Sequence, residues 1–391
     1  MVGGPIILNG MIKLSFLGDL MCLKAQNEAA LKKYGRLEYK PQFAACKRLL
    51  EESDYVLGNL ETTITPSRSK SNHDLVFNSP LEYLEAIKDL GVGFVSLANN
   101  HILDQGVEGL KESIECIERM GIDYSGAYKN EEDGERVFIK DIGGIRFSVL
   151  CHTFGTNSQI NGNFLIGGQI HLVDLLNKQK KPLRYWNPDS NVCCKEYIAD
   201  ELSIAAVRNS ENAVFQQRLK DKIIKAKQQS DFVISMPHMG GQYNPHPGQY
   251  AKWMMNFIKD CGADMIVAGH PHVPQKSFWD GSVFGCFSLG NFACTPYVGW
   301  SLPNSFTEYG IVLHAYFDEI SKNLTKVSFS IVKSIVDEDG YTTIIPVKDL
   351  VGRLTSVENE KLQIDCEEII SRVRGFNDNI NCICDEIIIE M

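Results

Sequence analysis

The stretch MIVAGHPHVPQ, residues 265–275, carries the reading of the fold. Met265–Ala268 form a short apolar run, Gly269 ends it, and two imidazoles follow, His270 and His272, with Pro271 between them. A run of this kind, closed by glycine, reads as a buried strand feeding a loop. Polar residues just past a strand end gather where open α/β sheets hold their ligands, and Pro271 stiffens the turn that aims both rings at one cluster.

The same pattern recurs along the chain in IKLSFLGD, YVLGNLE, FVSLANNH, FVISMPHMG and VFGCFSLGNF, each read as a strand running into a loop. Between these lie helical patterns: QFAACKRLLEES, PLEYLEAIKDLG, GVEGLKESIECIERMG, FQQRLKDKIIKAKQQS and GQYAKWMMNFIKDCG, several closed by Gly or Ser. Strand alternating with helix implies a layered α/β domain. Residues 152–215 break the rhythm and read as a loop-rich insertion over the ligand edge. Beyond residue 305, GIVLHAYFDE, KVSFSIVKSIVD and YTTIIPV read as antiparallel strands. A helix is expected over 356–374 and a tail over 375–391, where EIIIEM is able to add an edge strand.

Composition bounds the function. The chain has 391 residues, 44% hydrophobic and 23% charged, which is enough apolar residue to build a large core. With 39 basic and 49 acidic side chains the formal charge is -10, and no Lys/Arg block tracks a phosphate backbone, so nucleic acid is not an expected partner. The N-terminal MVGGPIILNGMIKLSFLGDLMCL is apolar, but Lys13 and Asp19 interrupt it and no basic n-region precedes it. It reads as a first strand, with Met11 an alternative start, and not as a signal or membrane span. Twelve irregularly spaced cysteines, including the vicinal Cys193 and Cys194, point to a reducing cytoplasm; Cys382 and Cys384 form only a weak metal-binding pattern.

Reading the positions after each strand in order gives Asp19, Asn59 with Glu61, Asn99-Asn100-His101 with Asp104, His238, then His270 and His272. Imidazole and carboxylate suit Zn, Mn or Fe, and a carboxylate can bridge two ions. Each position has a plainer reading beside this one. Asp19 and Glu61 are also typical caps, Asn59 competes with Glu61, and Asn99 is interchangeable with Asn100. Asp104 is as well placed to cap a helix starting near Val107, and His238 to be a core histidine. Gln242, Tyr243, His246 and Gln249 follow His238 on a loop that either reaches a ligand or is merely exposed. Asn291 either shapes a turn or touches substrate. Arg68 and Lys70 either attract an anion or form a solvated cluster, and His152 is a candidate for the pocket rim.

The segments FLGDLM, GNLETTIT, SLANNHILDQGVEGL, HMGGQYNPHPGQY, GADMIVAGHPHVPQ and FSLGNF occur in this order over residues 12–295. In this the chain resembles the CapA family of capsule and poly-γ-glutamate synthesis proteins, within the calcineurin-like metallophosphatase superfamily. The resemblance implies a four-layer α/β/β/α sandwich over 11–345, carrying the 152–215 insertion, followed by a C-terminal helix and tail over 346–391. It implies two divalent ions, Mn, Zn or Fe, held by Asp19, Glu61, Asn100, His238, His270 and His272, with Glu61 bridging. It implies His101 as general acid or transition-state stabiliser, oriented by Asp104, and substrate contacts from Gln242, Tyr243, His246 and Asn291.

The reaction so implied is hydrolysis by a metal-activated hydroxide, acting on a small or oligomeric anionic substrate. The first expectation is a phosphate ester linked to capsule or exopolysaccharide. Amide hydrolysis in a γ-glutamyl polymer and a non-catalytic accessory role in polymer synthesis are the alternatives. Two positions depart from the pattern: Met21 stands where the superfamily has a histidine, leaving one metal a ligand short, and Gln242 stands where the family has a glutamate, removing a negative charge.

Overall fold

The computed structural model describes residues 10–68, 75–179, 210–296, 305–375 and 384–391. Strands β1 (Met11–Leu20), β2 (Tyr55–Leu60), β3 (Phe94–Ser96) and β4 (Asp123–Ser125) alternate with helices Lys24–Tyr34, Leu81–Asp89 and Gly106–Arg119. Next come β5 (Ile139–Ile142), β6 (Ile145–Thr153), β7 (Phe232–His238), β8 (Met265–Val267), β9 (Ser277–Trp279) and β10 (Phe284–Cys286), with helices Ser210–Gln229 and Gln249–Cys261 among them. The chain then forms β11 (Asn291–Ala293), β12 (Tyr309–Asp318), β13 (Leu324–Val336), β14 (Thr342–Pro346), the helix Ser356–Arg374 and β15 (Ile387–Ile389).

These strands make two sheets. The first runs β14-β13-β12-β1-β2-β3-β4, with β11 also on β1 and β15 on β13; the second runs β5-β6-β7-β8-β10-β9. β1 to β4 are parallel, as are β6, β7, β8 and β10, whereas β12, β13 and β14 pair antiparallel.

Side-chain alternation fixes the layers. On β1, Leu14 and Phe16 face the second sheet and join Phe147, Val149, Ile234 and Val267 in the inter-sheet core. Leu17 and Leu20 face outward and pack with Val95, Ala30, Leu84, Leu110 and Ile114 under the first helix layer. On the far side Leu150, Val233 and Ile266 meet Leu219, Ile223, Met254 and Ile258 of the two helices there. The result is the α/β/β/α sandwich, with each fully buried Leu, Ile or Phe contributing roughly 1.5–3 kcal/mol.

The helix Ser356–Arg374 opens with a capping box between Thr355 and Glu358 and adds Leu362, Cys366, Ile369 and Val373 to the inter-sheet core. Ser277 Oγ donates to Val373 O at 2.8 Å, tying the helix to β9. β15 pairs with β13, and Glu386 before it accepts from Lys13 at 2.7 Å.

Three local expectations are corrected. VFGCFSLGNF is not one strand: β10 belongs to the second sheet and β11 to the first, so the chain crosses between layers at Leu289-Gly290. Gly290 turns with φ 73, and its carbonyl lies so close to β1 that a Cβ on Gly18 would sit 2.0 Å from it. Only glycine at residue 18 permits that approach. QFAACKRLLEES is helical as expected but not one helix: Lys40–Phe43 and Lys47–Leu50 are α-helical and Ala44–Cys46 between them is a 3₁₀ turn. Helix Lys24–Tyr34 forms where no amphipathic pattern announces it, because its buried face holds Gln26 and Asn27 beside Ala29 and Ala30.

Of the insertion, residues 152–179 are described. They contain the turns Ser158–Asn161 and Gly167–Leu172 and are anchored by Asp174, whose two carboxylate oxygens each accept from Lys222 Nζ at 2.7 Å. Lys70, His73, Cys193, Cys194 and Cys382 lie outside the described residues. Every described cysteine is a free thiol, and among the described residues no helix is long and apolar enough to cross a membrane.

Candidate metal centre

The C-terminal ends of β1, β2, β3, β7 and β8 meet at one edge of the sandwich. They deliver Asp19, Glu61, Asn100, His238, His270 and His272 to one place, and all six are buried. The donor atoms fall into two triads, Glu61–His238–His270 and Asp19–Glu61–His272, in each of which one ligand atom per residue lies within 4.8 Å of the others. Glu61 is common to both.

Whether these residues fit a divalent ion is decided at Glu61. Both of its carboxylate oxygens are buried and, among the described residues, accept no hydrogen bond. Its Oε1 lies 3.4 Å from His238 Nε2 and 3.8 Å from His272 Nε2. A buried carboxylate without donors is strongly disfavoured unless a cation meets it. The donor set around it, carboxylates and imidazoles with an amide oxygen, is that of Zn, Mn or Fe sites. The residues fit.

The neighbouring groups sort the alternatives left by sequence. Asn59 does not share the triads; its Nδ2 donates to Asp19 Oδ1 at 2.8 Å and lies 3.2 Å from His238 Nδ1, so it props two members of the cluster. Asn99 is spent internally, donating to Asn59 Oδ1 and Leu60 O and accepting from His101 N–H. Asn100 presents Oδ1 to His238 Nε2 at 2.8 Å, and His270 Nδ1 approaches that same nitrogen at 3.1 Å. His272 Nδ1 lies 3.1 Å from Asp19 Oδ2 and 3.0 Å from Asn291 Oδ1.

The backbone here is strained. His270 has φ 98, His272 φ 59 and Tyr243 φ 60, all in the left-handed region that side chains with a Cβ avoid. Such residues cost about 1–3 kcal/mol each and persist where surrounding bonds over-determine them. Tyr243 N–H donates to Pro271 O at 2.8 Å, Met239 N–H to Gly269 O at 3.0 Å and Gly269 N–H to Pro237 O at 3.1 Å, which lock the two loops together.

Charge follows from this packing. Burial and the neighbouring imidazoles hold His270 well below its usual range, so it keeps a lone pair for a metal. Burial pulls His272 down as well, yet Glu61 and Asp19 outweigh it and raise it to about 9. Burial pushes Asp19 up, but His272 and His238 outweigh it and keep Asp19 ionised.

Beside the triads, His101 Nδ1 lies 2.6 Å from Asp104 Oδ2. Asp104 does not cap the following helix, whose N-cap is Gln105. Its Oδ2 accepts from Phe77 N–H at 2.6 Å and its Oδ1 from Asn161 Nδ2 at 3.0 Å. The Phe77 ring stacks on His101 with centroids 3.8 Å apart. Held on one edge and one face, His101 turns Nε2 outward, where Asn157 Nδ2 stands 3.4 Å away.

The other expected residues are placed as follows. Tyr243 is buried with its ring 5.8 Å from that of His272, Gln242 is half-buried and His246 exposed on the same loop. Asn291 sits against His272 and donates to Thr307 O at 3.2 Å. Met21 packs with Leu23, Phe77 and Cys294 in a small apolar cluster. Arg68 pairs with Glu112, and His152 is buried near Asp174 and Lys222, with burial pulling its pKa to about 4. Phe77, Asn157 and Asn161 are contacts that sequence reasoning missed: a lone Phe and two Asn in loops carry no periodic or spacing signal.

The profile of the family described as "Bacterial capsule synthesis protein PGA_cap" matches residues 13–296. "Capsule biosynthesis protein CapA" of Bacillus anthracis is 25% identical over 366 residues, covering 91% of this chain and 78% of that protein. "PGA biosynthesis protein CapA" of Bacillus subtilis (strain 168) is 22% identical over 295 residues, covering 74% and 65%. Among solved structures, a phosphatase from Mycoplasma pneumoniae aligns at a TM-score of 0.44 and 14% identity, over 83% of this chain and 94% of that one.

Proposed function

From the premise that the chain belongs to the bacterial capsule synthesis protein PGA_cap family, we propose that it is a metal-dependent hydrolase that cleaves a phosphate ester in capsule or exopolysaccharide synthesis. The observation that carries this reading is the buried Glu61 carboxylate, which accepts no hydrogen bond among the described residues and is shared by two ligand triads, next to an oriented His–Asp pair. Asp19, Glu61 and His272 would hold one divalent ion, and Glu61, His238 and His270, with the Asn100 amide oxygen, the other.

When bound, such ions supply Lewis acidity, lowering the pKa of water and offsetting phosphoryl charge. The chain's own residues do the rest. Asp104, satisfied by three donors, keeps His101 Nδ1 protonated and Nε2 aimed outward. In hydrolysis the bond from phosphorus to the leaving oxygen breaks, a water oxygen bonds to phosphorus, and His101 Nε2 gives its proton to the leaving oxygen. The proton shed by the attacking water passes to solvent, from which His101 is recharged. Phe77 covers one face of the ring and excludes water from it.

The same centre supports a second reading, cleavage of an amide in a γ-glutamyl polymer, which the "PGA biosynthesis" description of the Bacillus subtilis relative favours. One experiment separates them. Protein purified without chelators is assayed for metal, then for hydrolysis of p-nitrophenyl phosphate, bis-p-nitrophenyl phosphate and γ-glutamyl oligomer with Mn or Zn supplied. Ester turnover that vanishes in His270→Ala supports the first reading. Oligomer cleavage alone supports the second, and loss of neither activity in the variant refutes the centre.

A further inference from the structure

The start of the 152–215 insertion is stitched to the His101 loop by three asparagines. Asn161 Nδ2 donates to Asp104 Oδ1 at 3.0 Å, Asn163 Nδ2 to Leu103 O at 2.7 Å, and Asn157 spans two residues at once. Its Oδ1 accepts from Asn100 Nδ2 at 3.4 Å and its Nδ2 lies 3.4 Å from His101 Nε2. The first two are short and fix the backbone. The Asn157 contacts are at the long edge of hydrogen bonding and hold its amide weakly.

The backbone around Asn157 is nevertheless rigid. Its carbonyl accepts from Ile160 N–H at 2.7 Å and Asn161 N–H at 2.9 Å, while Thr156 O accepts from Asn161 Nδ2 at 2.8 Å. Asn157 itself sits at φ 48, a left-handed conformation that asparagine tolerates better than most residues. A half-buried amide is thus fixed in position, loosely bonded, and set across the nitrogen that has to meet a leaving oxygen.

We infer that Asn157 is a substrate-positioning residue: its amide N–H donates to the leaving-group oxygen of the phosphate ester and sets that oxygen beside His101 Nε2. The inference rests on the phosphoesterase reading above. In that reading the substrate oxygen replaces the weak contact of Asn157 Nδ2 with His101 Nε2, while Oδ1 stays on Asn100 Nδ2. Esters with poor leaving groups, which need the proton from His101, depend on Asn157 most; p-nitrophenyl esters, whose leaving group departs without one, depend on it least.

The test uses the full chain loaded with Mn, as wild type, Asn157→Gly and Asn157→Asp. Glycine keeps the left-handed turn and deletes the amide; aspartate keeps shape and conformation and deletes the donor. The Michaelis constant for phenyl phosphate, which carries the leaving oxygen, should rise about fivefold in Asn157→Gly, the loss of one hydrogen bond, at unchanged metal content. Phenyl phosphate turnover should fall about tenfold more than p-nitrophenyl phosphate turnover in both variants. An equal Michaelis constant for phenyl phosphate in wild type and Asn157→Gly overturns the inference, as does an equal slowing of both esters accompanied by metal loss. If wild type turns over neither ester, the phosphoesterase reading fails and this inference fails with it; if wild type turns over both and Asn157→Gly matches it, only the inference fails.

Discussion

Replacing Glu61 with glutamine isolates the charge on which the metal centre depends. The side chain is fully buried, its two oxygens accept nothing, and it belongs to both triads. A buried polar group left unsatisfied costs about 1–3 kcal/mol, more when charged. Glutamine keeps the shape and removes the charge, and with it the attraction to His272, so each protein's melt with metal is compared with its own metal-free melt. Metal at about 100 times its dissociation constant adds about 2.7 kcal/mol to wild type by mass action. With an unfolding entropy of about 2.1 cal/mol/K per residue, a chain of 391 residues converts this into a Tm rise of about 3 °C. Thermal melts with chelator and then with Mn or Zn measure it. Wild type should shift by that amount and E61Q by less than about 1 °C. Equal shifts in the two proteins would refute the reasoning, because the stabilising ion would then not touch Glu61.

Three further outcomes follow from other parts of the molecule. Asp104→Asn removes the carboxylate that orients His101; turnover of poor-leaving-group esters should fall about 100-fold with metal content unchanged, and an unchanged rate would remove the pair from the reaction. Gly18→Ala drives a Cβ to 2.0 Å from Gly290 O and should cost about 3 kcal/mol, read as a lower urea midpoint together with lost metal, since Asp19 shares that pairing. His152 has a folded pKa of about 4 against an ordinary 6.5, so the unfolded chain binds the extra proton. Its stability contribution is therefore full above 6.5 and is lost as pH falls towards about 4, on the order of 3 kcal/mol. In denaturant melts between those pH values His152→Leu should flatten the slope, and an identical slope in both proteins contradicts the assignment.

The post-strand positions were legible because strand ends are marked twice, by apolar runs and by Gly, Asn or Pro after them. The pattern alone marks Asp19, Asn59 with Glu61, Asn99-Asn100-His101, His238, His270 and His272 for one edge, and the family resemblance narrows these to a ligand set. The choice between Asn59 and Glu61 was not legible, since both lie at the end of the same strand, Asn59 just inside it and Glu61 just past it. It took the hydrogen bonds of Asn59 to Asp19 and the absence of any to Glu61 to separate them. Helix Lys24–Tyr34 escaped because burial of Gln26 and Asn27 hides its apolar period. The crossing at Gly290 escaped because VFGCF and NF are equally apolar, and only the approach of Gly18 shows which sheet each joins. Asn157 and Asn161 lie in a segment without periodicity, where a side chain's partner is set wholly by tertiary contacts.

The central claim is that one buried cluster at the strand ends holds divalent metal. Anomalous diffraction from crystals soaked in Mn or Zn tests it directly. The account predicts two peaks flanking the Glu61 carboxylate, one against His238 and His270 and the other against Asp19 and His272. Ions bound elsewhere while Glu61 remains bare would contradict it.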